Sequence, residues 1–454
     1  MVRFYKPAPK DVSQKHFALQ IKGLDNNLRG IGQDSGVTWF VEGALPGEDV
    51  IVRAIDKKKN TGNAELIAVK KTSELRQSCS CEYADKCGGC SLQHMPLDLE
   101  VTSKVQGVQR LFKKNLSFEL KEPSFIESSV PSHYRRVCRL SIMADRKEFK
   151  IGFREKYGKK IVEVEHCEVL DEALSIIIPK IREVCLKVSN FKLLGHVELV
   201  KADNCVAVLV RTINALPKQD KELFKQFGND NNVLCFVLER FEKTKEDLVQ
   251  REELSCLNSE LTNNELPYYD NNGVKIHFRP TDFIQINSHV NDKMYEVVSK
   301  YLNLDKEDEI LDLFCGLGNF TLPLAKHVKH VYGVELVGGM VRLAKQNATE
   351  NNIDNAEFIV QDLDEEFERT LWAKSKVTKV LLDPGRQGAA RVMPYLVNRK
   401  IPHIVYVSCN PLTLVRDIGV LLKSGYEIKD WSLFNMFPRT EHVETVVLLS
   451  RDKA

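Results

Sequence analysis

The feature that most constrains this chain is one short run, Glu309-Ile-Leu-Asp312-Leu-Phe314-Cys-Gly316-Leu-Gly318-Asn319-Phe320. An apolar strand leads into a glycine turn, and the turn opens a segment of helical character, Asn319–His327. Such a unit sets backbone amides and a helix N-terminus at the carboxyl edge of a parallel sheet, where open α/β folds bind ligands. The rhythm continues, with strands expected at His330–Val334, Ala356–Val360, Val377–Leu382, His403–Ser408 and Thr445–Ser450, a doubly wound α/β sheet. Nineteen positions beyond Gly316, Glu335 ends the second strand, placed to accept hydrogen bonds from ribose hydroxyls. Asp362, after the third strand, suits an adenine amino group. A Gly-x-Gly turn alone is a weak signal. Turn, acid and second acid at these spacings are a stronger one, and the departure from Gly-x-Gly-x-x-Gly argues against a dinucleotide.

The rest of the chain is too long for that sheet alone: 454 residues suggest two to four domains. Residues 1–72 read as short strands and turns, with Gly30-Ile-Gly32, Pro46-Gly47, alternating Val50 and Val52, and a basic loop at Lys57–Gly62, the pattern of a small OB-like barrel or a generic β domain. Residues 73–265 form a central α+β part, with a helix expected over Leu97–Phe112. Asn263–Asn272, rich in Asn and Asp, reads as the linker into a last domain, 266–454. The net charge is only +2, so a nucleic-acid surface has to come from uneven charge. Residues 133–160 carry ten Lys or Arg against three acids, with Tyr134, Phe149, Phe153 and Tyr157 interleaved, which suits phosphate contact and base stacking. The opening residues lack the apolar core of a signal peptide, and the longest apolar runs, such as Cys205–Val210, are strand-sized, so no membrane and a cytoplasmic location are expected.

Twelve cysteines are unevenly placed, with Cys79, Cys81, Cys87 and Cys90 in one segment. Clustered cysteines in a reducing compartment point to metal or cluster ligation rather than disulfides. Cys81, Cys87 and Cys90, with Gly88-Gly89 permitting a tight wrap, supply three ligands, and Cys167 is the best fourth. Spacing alone leaves zinc and iron–sulfur both open.

Two strand ends carry chemistry: Asp383-Pro-Gly-Arg386 and Ser408-Cys409-Asn-Pro411. A cysteine at a strand mouth can add to C6 of a uracil, making C5 nucleophilic enough to take a methyl group. A carboxylate must then remove the C5 proton, and Glu444, just before the last strand, is placed for it. With Phe283-Ile-Gln285-Ile-Asn287, Glu335, Asp362 and His442-Val-Glu444, these segments resemble the RNA uracil-C5 methyltransferase family over nearly the whole chain. Gly30…Phe40-Val-Glu-Gly43-Ala-Leu-Pro-Gly47 resembles a TRAM domain, an RNA-binding barrel. The resemblance implies a class I S-adenosylmethionine-dependent methyltransferase domain, with Gln285, Phe314, Asn319, Glu335, Asp362 and Asp383 lining the S-adenosylmethionine pocket, Cys409 as nucleophile and Glu444 as base. It also implies a [4Fe–4S] cluster on Cys81, Cys87, Cys90 and Cys167. Gly385 stands where the family often has Pro or Ala, leaving Asp383 and Arg386 in place. A barrel and a cluster together resemble the ribosomal members, which implies a monomer making 5-methyluridine in 23S ribosomal RNA at position 1939. Position 747 and tRNA are the alternatives, and a non-catalytic, cluster-bearing RNA-binding protein is the alternative of another class.

Overall fold

The computed structural model describes residues 16–144, 148–241 and 251–451. The opening residues and Asp145, Arg146 and Lys147 of the basic stretch lie outside the described residues. Packing divides the chain into two units: Met1–Ala84 with Cys90–Glu122 and Phe437–His442, and Asp85–Gly89 with Pro123–Met436 and Val443–Ala454.

In the first unit, β1 (His16–Leu24), β2 (Gly30–Asp34), β3 (Val37–Val41), β4 (Asp49–Lys57) and β5 (Thr61–Lys71) close a barrel in the order β1-β2-β3-β5-β4. Every second residue turns inward, so Leu19, Ile21, Val37, Trp39, Val41, Val50 and Val52 form its core. Gly62 is required there, because a Cβ at that position would lie 2.4 Å from the Trp39 ring. The basic run Lys57–Gly62 is the tight end of the β4–β5 hairpin rather than a long loop. Helix α1 (Leu97–Leu116) buries Val105, Val108, Leu111 and Phe112 at helical spacing and ends at Ser117, whose φ is 52°.

The second unit opens with β6 (Phe125–Ser128). A seven-stranded sheet follows, built from β7 (Val137–Ala144), β8 (Phe149–Arg154), β9 (Ile161–Val162), β10 (Leu194–Lys201), β11 (Val206–Thr212), β12 (Val233–Arg240) and β13 (Glu252–Cys256). Its order is β13-β12-β11-β10-β7-β8-β9, with helices α2 (Glu172–Cys185) and α3 (Lys218–Asn231) between strands. The segment expected to be a linker is packed instead. It contains β14 (Tyr268–Asp270), which pairs with β15 (Lys275–His277), and buries Tyr269 and Asn271.

After α4 (Ser288–Leu302) comes the sheet foreseen from the glycine turn. Its elements are β16 (Glu309–Leu313), α5 (Thr321–Ala325), β17 (His330–Glu335), α6 (Gly338–Glu350), β18 (Ala356–Val360), β19 (Lys379–Leu382), α7 (Val392–Arg399), β20 (His403–Ser408), α8 (Pro411–Lys423), β21 (Glu427–Asn435) and β22 (Glu444–Ser450). Eight strands run β18-β17-β16-β19-β20-β22-β21-β6. The five from β18 to β20 are parallel, β22 is antiparallel, and β6 joins the far edge parallel to β21. The strand ends Leu313, Glu335, Val360, Leu382 and Ser408 therefore share one edge with the start of β22. That edge is the switch point of an open α/β sheet, where a ligand site is expected.

Candidate active site

Two groups of side chains line that edge. The first surrounds the glycine turn. The amides of Phe314 and Cys315 both donate to the Val334 carbonyl, at 2.9 and 3.1 Å, which folds the turn over the end of β17. Phe314 sits at φ 69° and Gly318 at φ 88°. A phenylalanine in the left-handed region is strained, and such strain gathers at functional sites. Glu335 accepts from the Gly316 amide at 3.2 Å and the Val337 amide at 2.8 Å, so its carboxylate is held beside the turn. Asp362 accepts from the Asp364 amide at 2.9 Å, one strand further out. Exposed Leu336, Val337 and Val360 frame these acids with apolar surface.

Asp312 lies beneath the turn, fully buried, bonded by the Thr321 hydroxyl through one oxygen, while the other oxygen has no partner among the described residues. Burial, followed by the nearby Asp383 and Glu335 charges, pushes it up to about 7 against the Thr321 bond. Asn319 takes part in a buried polar network rather than standing free: Tyr269 Oη donates to its Oδ1 at 3.1 Å, Asn271 to its carbonyl at 2.6 Å, and it exchanges bonds with Asn291. Gln285 is buried, and its carbonyl accepts from Arg136 Nε at 2.7 Å.

The second group sits where β20 meets β22. The antiparallel register pairs His403 with Ser450 and ends at Ser408 with Thr445, so Cys409 follows the last paired residue of β20 and Glu444 precedes its partner on β22. The two side chains are near enough for the Glu444 charge to act on the Cys409 thiol. Asn410 then caps α8, its side chain accepting from the Leu412 amide at 3.2 Å, with Pro411 in the first turn. This is the physical reason for the Cys-Asn-Pro order, which starts a helix directly after the cysteine. Asn410 Nδ2 and Thr413 Oγ1 also donate to the Arg386 carbonyl, at 2.9 and 3.3 Å, which ties the Asp383–Arg386 loop to the cysteine loop.

Desolvation dominates the charges here. Burial, then Glu444 and Asp383, push the Cys409 thiol up to about 12, with Arg386 opposing. Burial and Asp383 hold Glu444 well above the carboxylate range, again against Arg386. Burial alone lifts Asp383 to about 7. Cys409 and Glu444 thus share the Arg386 guanidinium, which does not offset the burial of Asp383. Arg386 and Asp312 shape this site without having been singled out as its residues from the sequence, although both lie within motifs that were.

The cysteine expectation fares differently. Cys81 and Cys90 belong to the first unit, Cys87 and Cys167 to the second. Among the described residues no group of three or more His, Cys, Asp or Glu side chains could hold a metal ion. The four cysteines are therefore not seen as one ligand set. Amides do point at the sulfurs, Gly89 at Cys87 at 3.4 Å and those of Val169 and Leu170 at Cys167. Burial raises both thiols.

The basic stretch is also redistributed. Arg136 is only 5% exposed, its amide donates to the Ile286 carbonyl at 2.9 Å, and its guanidinium lies 4.6 Å over the Tyr269 ring. It is framework for the Gln285 segment, not a surface cation. Arg139, Arg154, Lys159 and Lys160 are exposed, Arg139 being paired with Glu198 at 2.8 Å. Among the described residues no helix is long and apolar enough to cross a membrane.

Comparison with known proteins agrees with this geometry. The family model described as tRNA (Uracil-5-)-methyltransferase matches residues 98–452, and the TRAM domain model matches residues 16–67, the barrel. A 23S rRNA (uracil(1939)-C(5))-methyltransferase of Aliivibrio fischeri is 38% identical over 99% of this chain and 100% of its own length. The enzyme of the same name from Histophilus somni is 39% identical over 100% of both. Among solved structures, the Pyrococcus abyssi tRNA (uracil-54, C5)-methyltransferase in complex with S-adenosyl-L-homocysteine is 27% identical with a TM-score of 0.72, covering 95% of this chain and 99% of that one. With matches of this extent, and a methyltransferase-type sheet carrying its residues at one edge, the chain belongs to the RNA uracil-C5 methyltransferase family and is an enzyme of that family with an N-terminal TRAM barrel.

Proposed function

We propose that this enzyme forms 5-methyluridine in 23S ribosomal RNA, at the position numbered 1939, with S-adenosylmethionine as methyl donor. The observation that supports the chemistry is the end of the β20–β22 ladder at Ser408 and Thr445, next to Cys409 and Glu444, whose ionisation responds to each other's neighbourhood and to Asp383. The names of full-length relatives support the target.

In this reading the turn at Phe314–Asn319, with Gln285, Glu335, Asp362 and Asp383, binds the methyl donor. The target uridine leaves its stack, at a cost on the order of a few kcal/mol, to reach Cys409. With the cationic donor bound, the Cys409 thiol and the Glu444 carboxyl give up their protons to solvent water; the Cys409 thiolate then bonds to C6, and the C5=C6 electrons move into an enolate. C5 attacks the sulfonium methyl, whose bond to sulfur breaks to leave S-adenosylhomocysteine. Glu444 takes the C5 proton, the C5=C6 bond re-forms and the thiolate departs. The raised pKa values fit this cycle, because an arriving sulfonium adds the positive charge that lets thiolate and carboxylate form.

Cys81, Cys87, Cys90 and Cys167 would hold a [4Fe–4S] cluster. Support comes from the amides aimed at the Cys87 and Cys167 sulfurs, the hydrogen bonds such clusters use. No step above passes through it. Its role would be to hold residues 73–265 for RNA binding, and protein prepared without oxygen should carry about four iron and four sulfide per chain. Colourless, zinc-loaded protein with full activity would refute the cluster.

Mass mapping of 23S ribosomal RNA from a deletion strain, before and after treatment with the enzyme, tests the target. Restoration of one methyl at 1939 is expected. Methylation at 747, or of tRNA alone, would replace that assignment.

A further inference from the structure

Helix α5, which leaves the glycine turn, lacks one hydrogen bond of its own. In a helix the carbonyl of each residue accepts from the amide four residues on. The Gly318 carbonyl accepts from the Leu322 amide and the Phe320 carbonyl from the Leu324 amide, both at 3.0 Å. Between them, the Asn319 carbonyl would need the amide of position 323, which is a buried proline with no N–H to give. The donor comes from outside the helix. Asn271 Nδ2 donates to the Asn319 carbonyl at 2.6 Å and to Asn319 Oδ1 at 3.2 Å. Asn271 is fully buried and belongs to the β14–β15 hairpin. The hairpin loop is Asn272 at φ 52° and Gly273 at φ 73°, the Asn-Gly pair that two-residue hairpins favour. Asn271 closes that loop by bonding both ways with Val274, at 2.9 and 3.2 Å, and its Oδ1 accepts from Asn272 at 2.9 Å. The Gly273 carbonyl accepts from Lys326 Nζ at 2.6 Å, so the hairpin holds α5 at both ends. All of these residues belong to the second unit. The turn that runs into α5 bends through three left-handed residues, Phe314, Gly316 and Gly318, and two of them are glycines with little preference of their own.

We propose that Asn271 is a positioning residue for the methyl donor's turn: by supplying the hydrogen bond that Pro323 removes, it holds Asn319, and through it Gly316–Asn319, in the conformation that receives S-adenosylmethionine. The proposal rests on the reading of that turn as the donor site and adds to it. An unpaired carbonyl among buried side chains is costly, so a chain lacking Asn271 samples displaced turns more of the time. Affinity then falls with the fraction of molecules that stay competent, while a bound donor is used at the ordinary rate.

Asn271→Ala should weaken S-adenosylhomocysteine binding, read by calorimetry, and raise the KM for S-adenosylmethionine, each on the order of ten-fold. Its kcat at saturating donor should stay within about twofold of wild type. A fall in kcat with KM unchanged would overturn the proposal. The decisive variant is the double one. In the Pro323→Ala background the helix can supply its own donor to Asn319, so adding Asn271→Ala there should weaken binding no more than about two- to threefold. The same ten-fold loss in both backgrounds would mean that Asn271 acts through packing alone, and would overturn the proposal. A fold lost in Asn271→Ala and recovered in the double variant reports the same coupling; a fold lost in both would overturn it. Glu335→Gln runs alongside as the control. If it loses affinity and Asn271→Ala does not, only the role of Asn271 falls; if neither loses affinity, the reading of the turn as the donor site falls with it.

Discussion

The two halves of the sheet edge use carboxylates in opposite ways. Around β16–β18, Glu335 and Asp362 are bonded to backbone amides and remain partly exposed. Around β19–β22, Glu444 is 6% exposed and, with Cys409 and Asp383, pushed towards its protonated form. Amide-bonded acids are held in a fixed direction, which suits gripping neutral hydroxyls and amines. Desolvated acids hold protons that chemistry can move, at some cost to the stability of the fold. On the proposed function, binding and catalysis are separated by solvation across a few strands.

The sharpest break of the comparison is at the nucleophile. Cys409→Ala should reduce methyl transfer by on the order of 10⁴-fold or more, as loss of a covalent nucleophile does. RNA and S-adenosylmethionine should still bind within about twofold, as read by filter binding and calorimetry. Residual transfer near the wild-type level would remove Cys409 from the site. Next in size, Glu335→Gln should raise the KM for S-adenosylmethionine about 10- to 100-fold, since hydrogen bonds to a charged group contribute roughly 1.5–3 kcal/mol. Its kcat at saturation should stay close to wild type. A fall in kcat with KM unchanged would place Glu335 in the chemical half instead.

The stability of the free enzyme sharpens the contrast. Glu444 keeps its proton to higher pH folded than unfolded, so the folded chain binds more protons across that window. Its contribution therefore falls as pH rises above the ordinary glutamate range. Glu444→Gln removes that fall, so its melting temperature should gain on wild type steadily from about pH 5 to about pH 8. Parallel melting curves for Glu444→Gln and wild type across that range would contradict the buried, neutral carboxyl.

The smallest effect concerns the basic surface. Neutralising exposed Lys159 and Lys160 together should weaken RNA binding several-fold and flatten the salt dependence by about one unit per lost phosphate contact. S-adenosylmethionine affinity should not change. An unaltered salt slope would make that hairpin a solvated face.

Legibility in the sequence follows the range of the interactions. The glycine turn, Glu335 and the Cys409 loop were visible because each is a local unit in which strand, turn and cap residues are neighbours, and β18 and β20 span the expected residues. What composition hid depends on distant partners. Asn271 belonged to an apparent Asn-rich linker, yet its amide completes a buried network with Asn319, 48 positions away. Arg136 looked like one more surface cation, and only the Gln285 carbonyl, 149 positions on, makes it framework. The Ser91–Glu441 bond spans 350 positions and leaves no periodic trace. Strand β6 is four residues long and pairs with β21, which its own pattern could not announce.

The central claim is that Glu444 removes the C5 proton after methyl transfer, and trapping by Glu444→Gln tests it most directly. Incubated with S-adenosylmethionine carrying a labelled methyl and RNA with an ordinary uridine, this variant should accumulate a denaturant-resistant protein–RNA band bearing the label. General-base loss slows a step by roughly 10²–10⁴-fold, so the band should persist far longer than a wild-type turnover and vanish when Cys409 is also replaced by Ala. Rapid release of 5-methyluridine RNA by Glu444→Gln, with no labelled adduct at any time, would contradict the account.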